Sequence, residues 1–157
     1  MPGTMSARDT VFGSAASCYV TIGDDRYNFA QAISLEAKAE KNKTEVPILG
    51  KMSKGNKATG IRYSGSMTLH YNSSIMRRIM KDYAKDGIDT YFTIQVTNDD
   101  KTSAAGRQTT TLYGCNLDNV IIAKMDADGE YLDETVDFTF EDWDLDEEFA
   151  QLEVMNA

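Results

Sequence analysis

The sequence predicts a mainly-β domain, an antiparallel β-sandwich or barrel with one flanking α-helix. Three observations predict it. Apolar and polar residues alternate with period two in about six or seven separate stretches, the pattern of half-buried strands. A helical period occurs once, over Ile75–Tyr83, with Gly87 placed to stop it. At 157 residues, 41% hydrophobic and 10% aromatic, the chain suits one domain with a real core and is too apolar for disorder.

Residues 1–14 (MPGTMSARDTVFGS) read as a polar N-terminal arm, and 15–143 as the β-domain. That domain opens with a hairpin. Cys18, Val20 and Ile22 alternate with Tyr19 and Thr21, Gly23-Asp24-Asp25 turns the chain, and Tyr27, Phe29, Ile33, Leu35 and Ala37 continue as one long second strand. Residues 41–58 contain Pro47, Gly50 and Gly55 and almost no periodicity, so they read as a long loop. Val46, Ile48, Leu49 and Met52 give that loop an apolar centre that disorder would not need, and it is expected to order against a neighbour. Ile61, Tyr63, Met67, Leu69 and Tyr71 then share the inner face of a strand.

The helix spans 74–86, capped by Ser73 or Ser74. Ile75, Met76, Ile79, Met80 and Tyr83 form its apolar stripe, and Arg77, Arg78, Lys81, Asp82, Lys85 and Asp86 its polar face. Thr90–Asn98 is a strand with Phe92, Ile94 and Val96 inward. Gln108–Lys124 is a longer one with Tyr113, Cys115, Leu117 and Ile121 inward, and Gly114 and Asn116 suggest a bulge. Val136, Phe138 and Phe140 alternate with Asp137, Thr139 and Glu141 in the last strand of the domain. Residues 144–157 read as an acidic C-terminal tail, as a last helical turn or a short edge strand.

Charge is strongly segregated. The net charge of -9 divides into +2 over residues 1–100 and -11 over 101–157, and no lysine or arginine follows Met125. Six bases lie between Lys41 and Arg62 against one acid, Glu45. An acidic wall and a basic loop on one chain point to contact between copies. A net-acidic chain is unsuited to gripping a nucleic-acid backbone, although it could surround DNA without holding it.

Catalytic, metal and cofactor chemistry is not expected, and no cofactor is called for. The single histidine, His70, sits mid-strand on a polar face, with no nucleophile or paired acids arranged about it. Gly50–Gly55 (GKMSKG) lacks the spacing of a phosphate loop. Asp126-Ala-Asp128-Gly begins like a calcium loop, but Leu132 stands where a ligand should be, so it reads as a plain turn. Cys18 and Cys115 have no CxxC spacing and read as small core residues of a reduced compartment. The chain has no apolar run that reads as a signal peptide or membrane span, and membrane binding is not expected.

The polar strand faces carry more. Ser64, Ser66 and Thr68, then Thr93, Gln95 and Thr97, then Thr135, Asp137 and Thr139 are short, mostly hydroxylic or acidic, on faces almost free of bases. On a lone domain they would simply face water. If sheets of several copies joined edge to edge in a ring, they would line a wet, weakly negative channel.

Three stretches, TVFGSAASCYVTIGDD, KTEVPILGKMSKGNKATGIRYSGSMTLHY and DGEYLDETVDFTFEDWDLDEEF, with the helix SSIMRRIMKDYAKDG, resemble the XkdM-like phage tail tube family. That family belongs to contractile-tailed phages, defective prophages and phage-tail-like bacteriocins. The resemblance implies a structural subunit whose hexameric rings stack into a hollow inner tube that passes DNA or ions. It implies a sheath protein, a baseplate or tube initiator and a tape measure protein as partners, with DNA only in transit. It places the protein in a virion tail or tail-like particle assembled in the bacterial cytoplasm. A loop reaching the neighbouring ring would here comprise Glu45, Val46, Ile48, Leu49, Lys51, Met52, Lys54 and Lys57. Charge suggests Glu141, Asp142, Asp144, Asp146, Glu147 and Glu148 as its acidic counterpart. The alternative is a secretion-system tube or effector carrier of the Hcp kind, related in fold.

Overall fold

The computed structural model describes residues 3–156; Met1, Pro2 and Ala157, at the ends of the predicted arm and tail, lie outside the described residues. Eight antiparallel strands and one α-helix make up the domain: β1 (Ala16–Ile22), β2 (Asp25–Asn28), β3 (Ala32–Val46), β4 (Gly55–His70), α1 (Ile75–Asp86), β5 (Phe92–Asp99), β6 (Arg107–Leu117), β7 (Asp133–Thr139) and β8 (Asp142–Glu147). Hydrogen bonding runs in the order β2-β1-β5-β6-β7-β4-β3, with β8 also paired to β6. β6 joins β7 only through Asn116↔Thr139 and Leu117↔Phe138. The sheet therefore folds at that narrow junction into two halves, β2-β1-β5-β6-β8 and β7-β4-β3, which close on one core.

Inward residues of both halves meet there. Val20, Ile94 and Leu112 come from one half and Met67, Leu69, Val136 and Phe138 from the other, while Met76 and Ile79 of α1 close an end. Cys18 and Cys115 are buried, free thiols in this core. Burial pushes the first up to about 11. Burial also dominates at the second, which reaches about 12.

Several expected elements are corrected. The long second strand of the first hairpin is two strands, because the chain turns at Phe29–Ala32 with Ala32 N–H donating to the Phe29 carbonyl (3.1 Å). β2 stays with β1, whereas β3 crosses to β4 in the other half. Residues 41–58 are not one long loop: β3 and β4 remain paired as far as Val46↔Gly55, leaving only 47–54 between them. Polar residues at period two on both faces, with no core to mark one of them, hid this ribbon from periodicity. The strand predicted to reach Lys124 ends at Leu117. Its bulge, where Gly114 takes φ +66°, puts Leu112 inward and leaves Tyr113 exposed. The predicted acidic tail begins inside β8, so a boundary after residue 143 would divide a strand.

α1 is reassigned in two places. Tyr83 is 55% exposed and lies off the buried stripe. Arg77, predicted on the polar face, turns inward: its guanidinium lies 2.5 Å from Glu134 of β7, whose side chain is only 1% exposed. The same guanidinium stands 4.3 Å from the centre of the Tyr71 ring and donates to the Ser73 carbonyl. This buried clasp fastens the helix to the sheet. Truncating one partner strands the other charge, so Arg77→Ala is expected to lower stability by about 3–5 kcal/mol in urea unfolding. The double change Arg77→Met with Glu134→Leu should restore most of that loss.

Candidate functional site

The feature that stands furthest from the core is the distal part of the β3–β4 ribbon. β7 covers β4 only from Ser64 to His70. Beyond that point the two strands run on together for roughly 20–25 Å, at about 3.3 Å per residue. At the root, Tyr63 stacks on Phe140 with ring centres 5.1 Å apart, and Glu40 binds both Lys38 and Arg62 at 3.0 Å. These two bases hold the Glu40 carboxyl below its ordinary range, through hydrogen bonds and charge from Lys38 first and Arg62 second.

Its tip is ordered by its own chemistry. Lys51 N–H donates to the Ile48 carbonyl (3.1 Å), and Gly50 takes φ +84°, the pattern of a type II turn with Leu49 at its exposed corner. Ile48 folds back over Gly55, where an added Cβ would meet its Cδ1 at 3.0 Å. Leu49 and Met52 are 102% and 107% exposed, so neither is sheltered by its own copy. Lys51 and Lys54 lie in the same turn and Lys57 stands just inside the ribbon, opposite Thr44; none is in an ion pair among the described residues. Glu45 and Val46 sit on the ribbon just before the tip. The predicted loop residues are thus brought together, at the end of a stalk.

The acidic candidates lie elsewhere. Trp143 and Leu145 of β8 face Ala37, Ala39, Tyr63 and Phe140 across a cavity of about 240 Å³. β8 therefore sits beside the root of the ribbon. Its acids divide into two groups. Glu147 takes two hydrogen bonds from Arg107 and one from Thr109, and Thr111 donates to Asp146. Glu141, Asp142, Asp144 and Glu148 make no ion pair among the described residues.

The nine residues of the predicted polar face split into two patches. Six of them adjoin on β4 and β7, in the register Ser64↔Thr139, Ser66↔Asp137 and Thr68↔Thr135, with the last pair hydrogen-bonded at 3.1 Å. β3 extends that patch through Ser34, Glu36 and Lys38, opposite Thr68, Ser66 and Ser64. Sequence reading had omitted these three; their alternation with Leu35 and Ala37 was the available signal. Thr93, Gln95 and Thr97 instead belong to the other half, beside Thr21, Tyr19 and Ser17 of β1. There Arg26 donates to Gln95 (2.8 Å) and lies over the Tyr19 ring, so that face is not free of bases.

Comparison with known proteins supplies a context for this geometry. A family model described as "Phage tail tube protein" matches residues 3–147. The chain is 38% identical over 146 residues to the phage-like element PBSX protein XkdM of Bacillus subtilis (strain 168), covering 93% of this chain and 97% of that protein. Among solved structures, a chain of the anti-feeding prophage baseplate matches with TM-score 0.67 at 12% identity, over 90% of this chain and 97% of that one. The SPP1 tail tube matches with TM-score 0.63 at 10% identity, over 94% and 87%. These two likenesses are of fold.

β8 also yields a pH prediction. Hydrogen bonds from Arg107 and then Thr109 hold the Glu147 carboxyl below its ordinary range. A lowered folded value means that the stabilisation is complete above the unfolded Glu value of ~4.3 and is lost as pH falls through the folded value. Trp143, the only tryptophan, reports the strand. Its emission is expected to shift to the red on acidification through that window, and Glu147→Gln should show part of the shift at pH 7. Identical emission from parent and variant would mean that β8 is held without this pair.

Proposed function

The chain belongs to the phage tail tube protein family, and from that premise we propose that it is the self-assembling inner-tube subunit of a contractile tail or tail-like particle. In this reading hexameric rings stack into a hollow tube inside a sheath, and DNA or ions pass through without being held. The fold and family are those of structural tube proteins, not of enzymes. Assembly in the bacterial cytoplasm, and contact with sheath, baseplate initiator and tape measure proteins, belong to the same proposal. No helix among the described residues is long and apolar enough to cross a membrane.

The observation that carries the proposal is the stalked apolar tip. Leu49 and Met52 are fully exposed at the end of a ribbon anchored in the core, an arrangement costly for a solitary molecule and useful for one that meets a copy of itself. Burying each against the next ring would contribute about 1.5–3 kcal/mol. Lys51, Lys54 and Lys57, with Glu45 beside them, set the rim. The unpaired acids of the β8 region, Glu141, Asp142, Asp144 and Glu148, offer a neighbouring copy's bases a complementary charge. Asp146 and Glu147 would join them only by sharing their internal partners. Exposed rim pairs contribute only about 0–1 kcal/mol each and mainly guide register. The patch of Ser64, Ser66, Thr68, Thr135, Asp137 and Thr139 is the better lumen candidate, since it is contiguous and its long edge strand β3 is open for pairing.

Negative-stain electron microscopy of the protein at high concentration, or grown from a baseplate seed, tests this. The parent chain is expected to give hollow tubes, and Leu49→Asp or Met52→Asp none. Normal tubes from Leu49→Asp would remove the tip from the stacking contact. Lys51→Glu with Lys54→Glu should slow assembly and shorten tubes without abolishing them, most clearly at low salt. Rings that never stack would favour a carrier of the Hcp kind.

A further inference from the structure

If the tip enters the next ring, something in that ring must receive it. A stack repeats by translation, so its contact is heterologous: one pole of a copy meets the opposite pole of the next. β3 connects the two poles. It spans Ala32–Val46, roughly 50 Å at about 3.3 Å per residue, and the tip follows its far end directly. At its near end lies a cleft of about 720 Å³, between the start of β3, the start of β1 and the end of β5.

Its chemistry matches the tip. Cys18 and Phe29 form a buried apolar floor, with Leu35 and Val96 half-buried beside them. Ile33, 47% exposed, stands at the mouth. Not one charged side chain lines the cleft; its polar groups are Asn28, Asn98, Ser17 and Ser34. Such a lining suits Leu49 and Met52 and leaves the lysines outside, at the rim of the contact. The volume is within the roughly 300–1,000 Å³ typical of pockets that enclose a compact ligand. Pro47 and the Gly50 turn hold the tip in shape beforehand, so little freedom remains to be lost on docking.

We propose that the cleft at the start of β3 is the receptor for a second copy's ribbon tip, with Leu49 and Met52 seated over Cys18, Phe29, Leu35 and Val96 and against Ile33. The assignment rests on the stacking reading and adds the other half of its contact. Each copy then carries one plug and one socket at opposite poles, so adding a copy always leaves one of each unused.

Disulfide trapping in assembled tubes tests it. Cys115 does not line the cleft but Cys18 floors it, so the introduced cysteines are placed in a Cys18→Ala background, where mild oxidation selects them. The double variant Leu49→Cys with Ile33→Cys is expected to give a ladder of covalent oligomers on a non-reducing gel. Mass spectrometry should find the peptide holding residue 49 joined to that holding residue 33, and neither single variant should give the ladder. A second variant guards against failed assembly of the first: Ile33→Glu should melt like the parent, because the residue is half-exposed, yet form no tubes. Tubes without the 49–33 link, or normal tubes from Ile33→Glu, would overturn the socket. If Leu49→Asp still blocked stacking in that case, the stacking reading would survive alone. Normal tubes from Leu49→Asp would bring down both.

Discussion

One long ladder of backbone hydrogen bonds, between β3 and β4, sets the terms for everything else, with register shifts at Ala32/Ser34 and Asn42/Lys43. Near its origin it is an interior pair, with Met67 and Leu69 buried and β7 on the far edge. There the ring of Phe138 lies so close over Gly65 that an added Cβ would fall 2.6 Å from its Cζ and 2.8 Å from the Glu36 carbonyl oxygen. Past Tyr63 the same ladder continues without β7 and without a core. A free two-stranded ribbon is marginal in water. This one persists because its first half is clamped in the sandwich and the pairing is carried outward from there to Val46↔Gly55, past one register shift at Thr59.

That dependence explains the distribution of charge and apolar surface. The ribbon has no core residue on either side, and its charged residues are mostly basic until the tip. At its base Glu40 gathers Lys38 and Arg62, which fixes the two strands across from one another where they leave the body. The acids of β8 are placed beside that base by the pairing of β8 with β6, and Arg107, Thr109 and Thr111 quiet two of them. The free edge of β3 extends from Ala32 to Val46. A monomer would have to protect such an edge, whereas an assembly can use it.

The sandwich, its helix and most of the core were legible because burial writes a period into the sequence. Val20, Ile94, Met67, Val136 and Phe138 each fall where alternation puts them. Legibility failed wherever burial was absent or shared. Residues 41–46 and 55–58 are strand without a core face, so no period marks them. Gly114 shifts the register of β6, and a one-residue shift exchanges Tyr113 for Leu112. Arg77 defeats any pattern rule, since its inward turn is decided by Glu134, distant in sequence. The loop residues of the candidate contact were found from composition, as apolar side chains where none should be. The β4 and β7 faces were grouped correctly with each other but wrongly with β5, because alternation gives a strand's faces and not the half-sheet to which it belongs.

The two cysteines have a quieter consequence. Both thiols are enclosed among apolar side chains and remain protonated across the biological pH range. A thiol in that state is a poor nucleophile and a poor target for oxidants. The described residues thus offer no exposed thiol with which to sense or respond to a change of redox potential. A subunit of this kind could meet a change from reducing to oxidising surroundings with both of its thiols unaltered.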